Sequence, residues 1–170
     1  MQKKRRQVQK SLRYIIIFIT NNNMNSLRFD VIYMLITGFI LQYYVMSMIA
    51  TNSFDNVHNS LGKAYISAIM AIIMSILEVI MYDFSHKMLT ITYSYYIPLF
   101  TALITFIWLY RTQIGVNDKQ YLNEMIEHHS MALLTSEQIL EKTKNPQVKN
   151  LANKIINTQK REIQQMNKML

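Results

Sequence analysis

The sequence contains no cysteine. It therefore has no disulfide framework, no thiolate metal site and no cysteine nucleophile. Any soft metal ligand must come from methionine, which occurs 13 times but is also a common apolar filler of membrane helices. Acidic residues are missing from residues 1–28, which carry seven basic groups, and residues 29–112 hold only three basic and four acidic groups. Charge is therefore concentrated toward the two ends of the chain.

The net charge of +8 raises the possibility of a nucleic-acid partner. Most of that charge belongs to residues 1–28 and forms a tail beside a hydrophobic stretch. We therefore expect no nucleic-acid binding. A basic tail of this kind is typical of the cytoplasmic flank of a membrane helix.

Three apolar stretches, residues 31–50, 64–82 and 91–110, each approach the roughly 20 residues that a helix needs to cross a bilayer. They predict an integral membrane protein with a membrane domain over residues 29–112. Residues 14–19 form an apolar run too short to span, which we interpret as interfacial or as part of a longer, tilted first helix.

The positive-inside rule places the basic segment 1–28 in the cytoplasm. Three crossings then put the C-terminal domain, residues 113–170, outside the cytoplasm. The loop around residues 51–63 would also lie outside, and the short loop around residues 83–90 inside.

Residues 113–170 have the composition of a water-exposed helical hairpin. Asn117 or Asp118 is the expected cap of a first helix ending near Thr143, and Asn145-Pro146 is typical of a cap followed by proline at the first helical position. The predicted fold class is therefore all-α, with three transmembrane helices and a soluble hairpin. Because a hairpin alone buries little surface, we expect a homo-oligomer in which two copies complete a four-helix bundle, or docking on another subunit.

The strongest local signal is a pair of histidines, His128 and His129, with methionines at 125 and 131. Adjacent residues on a helix point about 100° apart, so the two imidazoles cannot face one spot. Met125 is one turn before both, and antiparallel pairing brings Gln159, Glu162 and Met166 to nearby levels. Imidazole and thioether ligands favour Cu(I), Cu(II) or Ag(I) over Ca²⁺ or Mg²⁺. The alternative is an ordinary surface residue beside a boundary residue, with Met166 in the core.

Residues 121–166 resemble the domain-of-unknown-function family 305. The resemblance rests on a methionine one turn before a His-His pair, on a hairpin entry reading NPQVKNLA from residue 145, and on a closing IINTQKREIQQM from residue 155. It implies a ferritin-like helical bundle, and some members are linked to copper or silver binding and resistance outside the cytoplasm. Family members commonly have proline before the His pair, where this chain has Glu127. The positions that carry over are Met125, His128, His129, Gln159, Glu162 and Met166.

A second candidate site lies in the middle apolar stretch. Its members share one stripe of a helix, at positions i, i+4, i+8 and i+11: Met70, Met74, Glu78 and Met81. A carboxylate in hydrocarbon is costly and usually faces a partner, so the stripe could hold a metal ion. We favour the alternative, in which Glu78 reaches interfacial water and the methionines pack.

Three functional hypotheses follow. The first is a membrane-anchored, non-enzymatic protein that captures copper or silver through His and Met side chains. The second is a ferritin-like oxidoreductase, which we disfavour because the Glu-x-x-His spacing of di-iron bundles is absent: Met125 and Ile126 stand three residues before the two histidines. The third is an interaction or scaffold module without a metal.

Overall fold

The computed structural model describes residues 25–86 and 89–170, and this part of the chain consists of helices and short connections, with no strand. This confirms the all-helical class. The basic residues before position 25, the apolar run 14–19 and part of the predicted loop 83–90 lie outside the described residues. The five long helices are α1 (Asn25–Ala50), α2 (Leu61–His86), α3 (Leu89–Thr112), α4 (Asp118–Lys142) and α5 (Pro146–Met169).

Helices α1, α2 and α3 are each long and apolar enough to cross a membrane. They extend several residues beyond the predicted apolar stretches. Helix α2 is the most buried of the three and supplies most of their shared core. Gly38 of α1 lies against Ala71 of α2, where an added Cβ would be 3.2 Å from the Ala71 Cα, so the small residue permits close backbone approach. The core residues are Leu27, Val31, Ile72, Ile76, Val79, Tyr82 and Leu99.

Near its C-terminal end α1 contains a π-helical turn, Leu41–Val45, before it resumes as an α-helix. A π-turn inserts an extra residue into the helix and so changes which side chains face its neighbours. Here Tyr43 is buried and its hydroxyl donates to Asn59 Oδ1 at 3.1 Å. The Ser47 hydroxyl, one turn further on, is buried and faces α4.

Helices α4 and α5 form the predicted hairpin, and its caps are confirmed. Asn117 Oδ1 accepts the backbone N–H of Gln120 at 3.0 Å, and Asn145 Oδ1 accepts that of Gln147 at 2.9 Å. Each cap satisfies an N–H that the first turn of a helix leaves unpaired. The hairpin core contains Ile126, Leu133, Ile156 and Ile163.

The hairpin packs against its own chain. Helix α4 lies on the ends of α1 and α2 and on the short 3₁₀ turn Phe54–Asn56 between them. One face of α4 is therefore covered without a second copy. The predicted pairing of two copies concerns the remaining faces and stays a prediction.

Candidate functional site

The two adjacent histidines face different surroundings, as the helical geometry requires. His129 faces α5, where its Nδ1 atom lies 3.2 Å from Glu162 Oε2. His128 faces the ends of the long helices and lines a cavity there. The predicted ligand set is thus divided between two sides of α4.

On the α5 side, two polar atoms are buried without a hydrogen bond to any described residue: His129 Nδ1 and Gln159 Oε1. The nearby Glu162 oxygen is within ion-pair distance of the imidazole, but the two do not meet in hydrogen-bond geometry. A buried polar atom without a partner is unfavourable, and a bound ion or water molecule can supply the missing partner.

The methionines predicted for this side occupy compatible positions. Met125 is half-buried and precedes His129 by one turn, and Met166 follows Glu162 by one turn and packs against the hairpin core. Within the described chain, no group of three or more His, Asp or Glu side chains is placed to hold a metal ion. A metal ion here would therefore need thioether or amide ligands in addition to His129 and Glu162.

On the other side of α4, His128 is 54% exposed, and its Nε2 lies 3.8 Å from Glu124 Oε1. The Glu124 carboxylate raises the pKa of His128, while partial burial acts in the opposite direction. Glu124 itself is held against the first turn of α2. A methyl group added at Gly62 would overlap the Glu124 carboxylate, so glycine makes room for it.

Glu127 has a role that the sequence did not reveal. Its carboxylate is 7% exposed and forms a buried ion pair with Lys63, which is 8% exposed, at 2.9 Å. Ser47 Oγ donates to Glu127 at 2.6 Å and the backbone N–H of His58 donates at 3.2 Å. The Lys63 ammonium also donates to the His58 carbonyl at 3.0 Å and lies over the Tyr43 ring. Both charges are fully engaged, so this cluster fastens α4 to the long helices.

A second contact supports the same attachment. Ser130 Oγ donates to Asn52 Oδ1 at 2.7 Å and accepts the backbone N–H of Asn52 at 3.1 Å. Asn56 Nδ2 also donates to Ser130 Oγ, at 3.3 Å. The contact ties one turn of α4 to the loop between α1 and α2.

The second candidate site, the stripe of Met70, Met74, Glu78 and Met81, lies on the outer side of α2. Met70, Met74 and Met81 are exposed and Glu78 is half-buried, whereas the core side of the helix carries other residues. The stripe therefore does not face α1 or α3 in this chain. Its role as a metal site stays a prediction.

Taken with the fold, this site defines the class: an all-helical protein with three helices able to cross a membrane and a C-terminal domain docked on their ends. Residues 109–170 match the family described as "Domain of unknown function (DUF305)". No solved structure matches the chain.

The chain is 35% identical over 150 residues to "Uncharacterized protein L153" of Acanthamoeba polyphaga mimivirus. The match covers 88% of this chain and 93% of that protein, so it includes the long apolar helices as well as the C-terminal domain. The chain belongs to the same family as L153.

Proposed function

We propose that this protein is a membrane-anchored, non-enzymatic metal-binding protein that captures copper or silver ions outside the cytoplasm. The observation that carries the proposal is the approach of His129 Nδ1 to Glu162 Oε2, at 3.2 Å, together with two buried atoms that lack a hydrogen-bond partner, His129 Nδ1 on α4 and Gln159 Oε1 on α5. An ion bound by both His129 and Gln159 would give each of these atoms a partner. The Glu162 carboxylate would balance its charge.

The nature of the ion follows from the ligand chemistry. Neutral imidazole suits copper and zinc, and thioether selects soft ions such as Cu(I). Met125 and Met166 supply the thioethers within one turn of His129 and Glu162. A site with imidazole, thioether and few carboxylates disfavours Ca²⁺ and Mg²⁺, which require several hard oxygen ligands.

The location of the site is also a proposal. The described part of α1 starts at Asn25, within the basic segment 1–28, and the helix ends beside the hairpin. If the basic segment is cytoplasmic, the hairpin lies on the opposite side of the bilayer. The resemblance to family 305, including its ferritin-like fold and its links to copper and silver, supports the same assignment.

The test uses the full chain in lipid nanodiscs, titrated separately with Ag(I), Cu(I) under reducing conditions, Cu(II) and Zn²⁺ and followed by calorimetry. We expect selective copper or silver binding, which His129→Ala should weaken at least about tenfold. Met169→Leu, at the exposed end of α5, is the matched control and should bind as the wild type does. Absence of copper and silver binding, or binding indifferent to His129, would overturn the proposal.

An interaction module is the second candidate, because the hairpin exposes several apolar side chains. Leu151 is 59% exposed, and Tyr121, Ile139 and Val148 are also exposed. A second copy of this chain would cover such a surface in the predicted four-helix bundle. Under this reading, Leu151→Glu lowers the mass of the particle measured by light scattering, while His129→Ala does not.

A further inference from the structure

A cavity of about 270 Å³ lies between the hairpin and the long helices. Its walls come from the last turns of α1, the first turns of α2, the end of α3 and the middle of α4. It is therefore placed where the membrane-spanning and water-exposed parts of the chain meet. The cavity is separate from the α5 side of α4, where His129 lies.

Three side chains that bind soft metals line this cavity: Met46 of α1 and His128 and Met131 of α4. His128 and Met131 are three residues apart and so lie on one helical face. Met46 approaches from the opposite wall, close to Ser47, whose hydroxyl bonds to α4. The two helices thus place two thioethers and one imidazole on the walls of a single cavity.

Three polar groups of the cavity, Lys63, Glu127 and Ser47, are already committed. Lys63 and Glu127 neutralise each other, and Ser47 donates to Glu127. These groups do not present a free charge to the cavity. Glu124 lies beside His128 in the space left by Gly62, in position to orient the imidazole as carboxylates commonly do for metal-bound histidine.

We propose that Met46, His128 and Met131 bind a second soft ion, Cu(I) or Ag(I), in this cavity. The three ligands are two thioethers and one imidazole, without a carboxylate. This set favours a soft monovalent ion over Zn²⁺. This site shares no residue with the site around His129 and does not depend on it. The adjacent histidines would then serve two ions, one in the hairpin and one at the ends of the long helices.

The test is the stoichiometry of Ag(I) binding to the full chain in nanodiscs, measured by calorimetry. We expect two ions per wild-type chain and one per Met46→Leu chain, a substitution that conserves volume and should preserve packing. Met48→Leu is the matched control: Met48 lies in the same helix with 49% exposure against 46% for Met46, but it does not line the cavity. It should retain two ions. Met131→Leu should behave as Met46→Leu does.

The outcomes separate this proposal from the first. If His129→Ala removes one ion and Met46→Leu removes the other, both sites stand. If only Met46→Leu has an effect, the cavity site stands and the hairpin site fails. If Met46→Leu and Met131→Leu bind as the wild type does, or if either one loses both ions, a separate cavity site is overturned.

Discussion

Replacing Glu127 by leucine should release α4 from the long helices. The substitution leaves the Lys63 ammonium in a site only 8% exposed, with the His58 carbonyl and the Tyr43 ring as its remaining partners. Removing one partner of a buried ion pair typically costs about 3–5 kcal/mol. At about 1.36 kcal/mol per factor of ten, this corresponds to a roughly 150- to 5,000-fold increase in the population of the undocked hairpin.

The double variant Lys63→Met, Glu127→Leu isolates the cause. Apolar replacement of both partners removes the unpaired charge and is often close to neutral for a buried pair. Here the His58 N–H loses its acceptor and the His58 carbonyl loses the Lys63 donor, at about 1 kcal/mol each, whereas the Ser47 hydroxyl keeps the Tyr43 carbonyl as an acceptor. We therefore expect the double variant to lose about 2 kcal/mol, less than Glu127→Leu alone.

Hydrogen exchange of α4 and loop amides in nanodiscs measures this opening directly, because undocking exposes them without unfolding the chain. The expected order of protection is wild type, then the double variant, then Glu127→Leu. Equal protection in all three proteins would refute the argument that this ion pair fastens the hairpin. Greater loss in the double variant than in Glu127→Leu would refute the assignment of the cost to an unpaired Lys63 charge.

Three further predictions concern single contacts. Glu124→Gln should lower the pKa of His128 in an NMR titration, because the Glu124 carboxylate raises that pKa; an unchanged pKa would contradict the pairing. In the wild type the pair stabilises the fold while His128 is protonated, and this contribution is lost as pH rises through the His128 pKa. Gly38→Ala should destabilise the packing of α1 on α2 by about 1–3 kcal/mol in detergent unfolding, because the new methyl group would crowd Ala71; an unchanged midpoint would contradict the close approach. Asn145→Ala should lower the opening free energy of α5 by about 1 kcal/mol in hydrogen exchange, because it removes the cap, whereas unchanged protection of its first turn would argue against capping.

Local signals were sufficient for the hairpin. The caps at Asn117 and Asn145 and the proline at 146 mark helix boundaries through interactions between neighbours in the chain, so sequence alone located them. The three apolar helices were recognisable from the length and composition of their apolar stretches. Their ends were not, since polar residues continue a helix without an apolar signal: α1 is already helical at residue 25, six residues before its apolar stretch, and α2 begins at residue 61.

The division of the two histidines was foreseeable from helical geometry, but the surroundings of each were not. His128 and Met46 are 82 positions apart in the sequence. They line one cavity only because α4 docks on α1. Glu127 illustrates the same limit. Its replacement of the proline common in the resembling family was visible, yet its partner Lys63 comes from another helix.

The cavity also depends on a feature that has no clear sequence signature. The π-turn Leu41–Val45 determines the directions in which Tyr43 and Ser47 point. Tyr43 lies under the Lys63 ammonium, and Ser47 donates to Glu127. A hydrophobic pattern predicts a continuous helix through this stretch. One residue did hint at the contact between α2 and α4. Lys63 lies at the margin of an apolar run, and a lysine that becomes buried there requires a partner of opposite charge.

The central claim is that histidine and methionine side chains hold a soft ion in this protein. X-ray absorption spectroscopy of the full chain loaded with Cu(I) in nanodiscs tests it most directly, because sulfur and nitrogen ligands scatter differently. We expect both sulfur and nitrogen in the first coordination shell of the ion, with less nitrogen in His129→Ala. A shell of oxygen and nitrogen ligands alone, unchanged by that substitution, would contradict it.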